Sequence, residues 1–479
     1  MLQADVVIIG AGAVGTAIAR ELSKYVLKVI LVDKNEDVGG DASKSNSAII
    51  HTGFDASPDT LESQLVVSAN PMYDQITKEL DIPFKRIGAI LTAVTQEEFS
   101  LLNKIKEKAY KNRVYDVDYL SPQAIKALEP EVTDKVLGGL YIPRESIIDP
   151  FLLVIAQAEN AVENGVKILL STMVTDITVK NGQVQFVKTN QGTIQTKFVI
   201  NAAGLFCDKI AEIVGLCNFK EHPRKGQFYV LDKNVPYKVN RIILPVPTKL
   251  TKGKLACPTI HGNLLIGPTA EELEDRFDKA VTAQGLQEVI EGVRKLVPKI
   301  SKEDAIKQYC GLRPVRTPEG YHIEAYKEVK GFIGISGIRS TGVTSSVAVA
   351  RYVTNVLNNE GLDLIPKPDF NPYRIGIKKF SELSDKEKEQ LIKENPKYGH
   401  VICRCETVTE AEIVEAIRRP VGAKSMDGIK RRVRAGMGRC QGGFCSSRVL
   451  DILSRELNIP AEKVTKNEAG SELVIGKIR

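Results

Sequence analysis

The chain has 479 residues, 43% hydrophobic and 26% charged, with a formal net charge of +7. This length predicts two or three domains rather than one core, and the composition is ordinary for a globular protein. No apolar run reaches the roughly 18 residues of a bilayer span. The mild charge favours anionic substrates, an acidic protein partner or a lipid surface, and gives no ground for nucleic-acid binding.

The first predicted element is a short apolar strand, Ala4–Ile9. It runs straight into Gly10 with no basic leader before it, so it does not read as a signal peptide, and the cytoplasm is the expected compartment. A glycine turn, an Ala-rich helix from about Val14 to Tyr25 and a strand at Lys28–Val32 follow. This is a βαβ opening, which implies a parallel sheet with a right-handed crossover. Within it, Gly10-Ala11-Gly12-Ala13-Val14-Gly15 fits G-x-G-x-x-G. Gly10 permits the tight turn, Gly12 lets a pyrophosphate approach the backbone, and Gly15 lets helix pack on strand. The helix N-terminus offers amide donors to phosphate. Asp33 ends the second strand, where a carboxylate accepts hydrogen bonds from ribose hydroxyls.

Short strands and helices alternate through roughly Lys85–Tyr141 and Gln227–Arg316. Two late apolar strands, Phe198–Ile200 and Phe332–Ile335, each lead into a glycine turn, the second followed by a helix from about Thr344 to Leu357. Both are expected to return to the first sheet, which makes the nucleotide domain discontinuous. Proline density at Pro366–Pro372 marks a break. The charged stretch Glu382–Lys397 reads as a solvated helix or linker.

Beyond it lies a cysteine cluster. Cys403 and Cys405 are separated by one residue, and Cys440 and Cys445 by four. In a reducing compartment this suggests a metal centre more than a disulfide frame. Four thiolates complete a 2Fe–2S centre, and the spacing by itself also admits zinc. A helix-like stretch, Thr409–Arg418, lies between the pairs. Lys430, Arg431, Arg432 and Arg434 precede the second pair. They read as a solvated basic face, or as charges that offset the cluster or dock an acidic partner.

Three segments resemble FAD proteins of the D-amino-acid oxidase-like superfamily. They are Asp33–Gly40 with Ser43, Ser45, Asn46 and Ser47; Val199–Gly204; and Gly337–Thr344. The resemblance implies FAD contacts at Gly10, Gly12, Ala13, Val14, Gly15, Asp33, Lys34, Ala42, Ser43, Ser45, Asn46, Ser47, Val174, Ala203, Gly204, Asp208, Gly342, Val343 and Thr344. It also implies that the last helix N-terminus stabilises charge on the reduced ring. Val401–Glu406 and Gly436–Cys445 resemble the bacterioferritin-associated ferredoxin-like domain, which implies a 2Fe–2S cluster on Cys403, Cys405, Cys440 and Cys445, with glycines bringing amides to the sulfurs.

The expected fold class is therefore α/β and α+β. A Rossmann-like FAD-binding domain (1–84, 142–222 and 317–365) carries an inserted mixed-sheet substrate domain (85–141 and 223–316). A linker (366–395) leads to a small helical cysteine domain (396–479). The combination resembles the large subunit of anaerobic glycerol-3-phosphate dehydrogenases. That implies oxidation of sn-glycerol 3-phosphate to dihydroxyacetone phosphate, with electrons passing to an acceptor other than NAD. Relatives on this scaffold oxidise 2-hydroxy acids such as 2-hydroxyglutarate, or amino acids, and a non-catalytic electron-transfer subunit is a third reading.

Asn46–Gly53 resembles the family's stretch beside the flavin, which makes His51 the expected base or hydroxyl polariser. Gly311-Leu312-Arg313-Pro314 matches a turn whose arginine binds the substrate anion, so Arg313 is the principal expected contact. Arg316, Arg339 and Lys225 are expected companions. His261 and His322 read as structural. The expected partners are a small anionic substrate and an electron-accepting subunit, with a second flavoprotein as one candidate. Membrane contact would be peripheral, at the inner face and through partners.

Overall fold

The computed structural model describes residues 1–247 and 253–476. Its organising element is a six-stranded sheet in the order Lys167–Leu169, Val29–Val32, Val6–Ile9, Phe198–Asn201, Phe332–Ser336, His322–Ala325. All neighbours pair in parallel except the last, an antiparallel hairpin. Both late apolar strands thus return to the opening βαβ unit. The strands are buried on both faces, which is why they read as unbroken Val/Ile runs rather than alternating ones.

The helix Ala13–Leu22 packs between Pro150–Glu163 and Gly342–Asn359. Close approach of the first turn to the strand below requires Gly15, because a Cβ there would lie 1.8 Å from the Gly10 carbonyl oxygen. This helix stops short of the expected Tyr25. Tyr25 instead bridges to Pro366, and the Val26 amide donates to the Ile365 carbonyl. The last helix starts at Gly342, two residues before the expected Thr344.

A second, mixed sheet is built from the strands Lys220–Leu231, Ile242–Pro245, Leu255–Pro258 and Leu264–Gly267, with Ala89–Ala93, Gly138–Ile142 and Asp118–Leu120. The long strand Ala305–Thr317 pairs antiparallel along Lys220–Leu231. Its core holds Phe228, Ile242, Leu265, Leu140 and Leu91. The proline-rich break runs without helix and is strapped to the first domain. Asn160 and Asn164 both donate to the Asn371 carbonyl, and the charged stretch after it carries the helix Asp385–Glu394 behind a Ser384/Glu387 capping box.

The cysteine domain is a two-stranded hairpin (Val401–Cys403, Val408–Thr409) and the helices Glu410–Arg418, Met426–Val433 and Ser446–Leu457. These close on Ile413, Ile429, Val449 and Leu453. Thr409 caps the first helix, with Glu412 completing a capping box. The basic run before the second cysteine pair is not the solvated face the sequence suggested. Arg431 and Arg432 are buried, and both grip Asp37 of the nucleotide domain at 2.6–2.8 Å. Arg434 pairs with Glu406 at 2.8 Å. A second buried staple joins Glu159 to Arg374 and Arg419. No helix among the described residues is long and apolar enough to cross a membrane.

Candidate active site and cysteine centre

A cavity of about 710 Å3 runs from the glycine turn to the face of the second sheet. Its nucleotide end is lined by Gly10, Gly12, Ala13, Val14, Asp33, Lys34, Ala42, Ser43, Val174, Ala203 and Gly204. The Asp33 carboxylate accepts from the Ala11 amide (2.6 Å) and the Asn35 amide (2.8 Å), which pins its position at the strand end. Burial pushes this carboxyl up, against those two amides. The Ser43 hydroxyl accepts from the Ala13 amide at 3.0 Å, so the serine segment caps the helix N-terminus from across the cavity. Lys34 lies 3.7 Å over the Phe206 ring.

Asp208 does not line the cavity. It is buried and accepts two bonds from Arg276 (2.6 and 2.5 Å), which hold it below the ordinary carboxylate range although burial opposes them. Arg276 itself lines the cavity. Gly15 also lies outside it, behind the turn. Gly342 and Val343 line it, whereas Thr344 is buried one step back, where its hydroxyl accepts from the His51 amide at 3.0 Å.

At the other end, Ser45, Asn46, Ser47 and His51 face the second sheet. The Tyr309 hydroxyl donates to the Asn46 carbonyl at 2.7 Å, and a Cβ at Gly311 would fall 2.1 Å from the Ser45 carbonyl oxygen, so strand and loop are pressed together here. His51 Nδ1 lies 2.9 Å from the wholly buried Glu145 carboxylate. The other oxygen of Glu145 accepts from the Thr52 amide (2.6 Å) and hydroxyl (3.0 Å). Among the described residues Nε2 of His51 forms no hydrogen bond, and His51 lines the cavity.

The expected arginines and lysine divide by strand parity. Arg313 lines the cavity beside Arg224, its cross-strand partner. Arg313 donates to the Thr269 carbonyl (2.8 Å) and lies 3.5 Å from the Arg224 carbonyl. Among the described residues no carboxylate forms an ion pair with it. Burial, reinforced by Arg224, lowers it to about 10. Arg316 is three residues further and therefore on the opposite face, where it is buried against Ser336, the Pro318 carbonyl and the Phe219 ring. Lys225 also points away, into an ion pair with Asp278 at 2.8 Å. Neither reaches the cavity, so both expectations are corrected. Arg339 lines it but is occupied by Glu319 (2.6 Å) and Glu62 (3.1 Å).

Sequence reasoning missed Glu145, Arg276 and Arg224. Only Arg224 had a partial signal, its like parity to Phe228 on one strand, and the register that sets it opposite Arg313 comes from the structure. His261 is held by Asp149 at 2.7 Å, consistent with a structural role.

The four cysteine sulfurs come together as two pairs. The Cys405 and Cys440 sulfurs are 3.6 Å apart, and Cys403 lies beside Cys445. Interaction with Cys445, with help from the Gly436 and Glu406 amides, lowers Cys403. The Phe444 and Gly442 amides lower Cys440. Amides directed at sulfur stabilise thiolates, and two thiol pairs match a centre in which each iron takes two. A Cβ at Gly438 would stand 2.2 Å from that of Cys405, so only glycine lets the two loops meet.

Comparison with known proteins places both halves. Residues 5–356 match the family FAD dependent oxidoreductase, and residues 401–455 match the BFD-like [2Fe-2S] binding domain. The chain is 46% identical to a glycerol 3-phosphate dehydrogenase of Caloramator mitchellensis, across 98% of each chain. It is 26% identical to a subunit of the anaerobic glycerol-3-phosphate dehydrogenase of Escherichia coli, across 95% of this chain and 88% of that one. Among solved structures, the dithionite-reduced L-alpha-glycerophosphate oxidase of Mycoplasma pneumoniae with FAD bound superposes with a TM-score of 0.75 at 30% identity. The match covers 78% of this chain and 99% of the oxidase.

Proposed function

Because the chain belongs to the FAD dependent oxidoreductase family, we propose that it oxidises sn-glycerol 3-phosphate to dihydroxyacetone phosphate and passes the electrons through its cysteine domain to a partner. Its cofactors are FAD and a 2Fe–2S cluster. The observation that carries the substrate is the end-to-end match, over both modules, to a glycerol 3-phosphate dehydrogenase. The cavity supports it, because Arg313 and Arg224 are cross-strand neighbours at its wall, Arg224 also paired with Glu272, and His51 lines the same cavity. Paired guanidinium groups suit a phosphate.

In this reading the Gly10–Gly15 turn and Asp33 hold the dinucleotide, while Ser43–Ser47 and Gly342–Val343 hold the flavin end. Bound there, FAD would supply the two-electron acceptor for the oxidation. Arg313 and Arg224 bind the phosphate and so fix where the carbinol carbon lies. His51 Nε2 takes the hydroxyl proton as the hydride leaves. Glu145 accepts the Nδ1–H, fixing the tautomer and stabilising the imidazolium that forms.

The match to the glycerophosphate oxidase takes in nearly all of that enzyme but 78% of this chain, and the BFD-like [2Fe-2S] match at residues 401–455 lies beyond the FAD family's 5–356. That supports electron exit through the cluster to a partner protein instead of direct delivery to a small oxidant. The test is anaerobic stopped-flow bleaching of the flavin by glycerol 3-phosphate, 2-hydroxyglutarate and amino acids, with the cluster followed by paramagnetic resonance. Glycerol 3-phosphate should reduce both centres. Bleaching by a 2-hydroxy acid and not by glycerol 3-phosphate would reject the proposal.

A further inference from the structure

The four sulfurs differ in accessibility. Cys403 and Cys445 are buried, Cys440 is half-buried and Cys405 is exposed, so the centre has an inner and an outer edge. Along the chain, the outer edge is flanked by the exposed residues Arg404 and Arg439. Phe444, 82% exposed, stands immediately before Cys445, and Arg448 is exposed in the first turn of the helix Ser446–Leu457. Glu406 and Asp232, which pair with basic residues of this region, are turned inward. Glu406 is held by Lys233 and Arg434, and Asp232 by Arg439, with side chains only 5% and 14% exposed. With Arg439 answered by Asp232, the positive charge beside the exposed sulfur comes from Arg404 and Arg448, which among the described residues form no ion pair, and the exposed Phe444 ring lies between them along the chain. The basic run at Arg431 and Arg432 is spent on Asp37 and adds nothing to that charge.

A large aromatic left in water beside a redox centre has no use in the fold of its own domain, whereas aromatic and arginine side chains are the usual energetic anchors of protein interfaces. We propose that this outer edge is the docking surface for a one-electron acceptor protein whose contact face is acidic around an apolar centre. The proposal rests on the reading that electrons leave through the cluster. Each substrate molecule delivers two electrons to the flavin. The cluster hands them on singly, so the acceptor is reduced by one electron per encounter and two encounters clear one substrate. The arginines supply long-range attraction and orientation, and Phe444 supplies the desolvated contact beside the outer sulfurs.

The holoenzyme, photoreduced with deazaflavin rather than with substrate, is offered flavodoxin as an acidic acceptor, the basic protein cytochrome c, and phenazine methosulfate as a small one. Cluster reoxidation is timed, and binding of oxidised enzyme to flavodoxin is measured by interferometry, with hydrogen exchange across residues 436–448. Flavodoxin should bind, protect that segment, and do so less as salt rises. R404E/R448E and F444A should each raise its Kd at least tenfold while leaving phenazine reduction within twofold. R404Q/R448Q serves if charge reversal impairs folding. A preference for cytochrome c, unchanged flavodoxin binding in the variants, or equal loss with phenazine would overturn the proposal. Arginine-dependent binding without cluster reoxidation would instead count against the relay reading and leave the surface standing.

Discussion

Asp37 offers the sharpest test of how the two cofactor modules are joined. Its carboxylate is buried and accepts from Arg431 (2.6 Å) and twice from Arg432 (2.8 Å each). Burial alone would raise it, but the two guanidinium groups outweigh burial and bring it down to about 2. Against the ordinary 3.8 this favours the ionised form by about 2–3 kcal/mol. Because the folded value is depressed, this stability is fully present above pH 4 and disappears as pH falls through about 2. Replacing Asp37 by Ala does more than remove that term, since it leaves two buried cations without a counter-charge, at a cost of about 3–5 kcal/mol. The load falls on the contact between the cysteine domain and the loop after Asp33. The assay is native-state hydrogen exchange over Met426–Val433, together with the rate at which electrons pass from flavin to cluster. D37A should exchange that helix several hundred times faster and slow the transfer, while substrate still bleaches the flavin. D37A/R432M should recover part of the loss. Exchange and transfer at wild-type rates in D37A would refute the reasoning.

Three further outcomes follow from the cavity and its surroundings. His51→Ala should lower the rate constant for flavin reduction by about 10²–10⁴-fold with FAD binding intact, and Glu145→Gln by less, as stopped-flow bleaching would show. Arg313→Ala and Arg224→Ala should each weaken substrate binding by about 2–4 kcal/mol, whereas Lys225→Met, on the opposite face, should leave the substrate Kd nearly unchanged. Glu221 is buried, with one oxygen accepting from the Gly337 amide (2.7 Å) and the other without a partner among the described residues. Burial raises this carboxyl to about 7. The folded state therefore holds a proton that the unfolded chain has lost, and stability falls as pH rises from about 4.5 to 7, by about 3 kcal/mol in all. E221Q should melt higher than wild type at pH 8 and similarly to it at pH 4.5; a pH-independent difference would contradict this.

Two parts of the molecule are legible in the amino-acid sequence alone, and both are local. The Gly10–Gly15 turn and Asp33 act through main-chain amides and a strand end, so a few contiguous residues specify the geometry. The four cysteines also declare themselves, because thiols clustered on two short loops at this spacing point to a metal centre. The alternation of short apolar runs and helical stretches likewise implies the returning strands. What sequence does not reveal is which distant side chains meet. His51 finds Glu145 across 94 residues, and Asp37 finds Arg432 across 395. Such pairs depend on how sheets and helices pack, and no nearby spacing encodes them. The substrate side shows the same limit at single-residue scale. Arg224 and Lys225 are adjacent and chemically alike, yet the pairing register of Lys220–Leu231 with Ala305–Thr317 turns one toward the cavity and the other away. Side chains alternate along a strand, so sequence supplied the cations and the register between two strands chose which of them face the substrate.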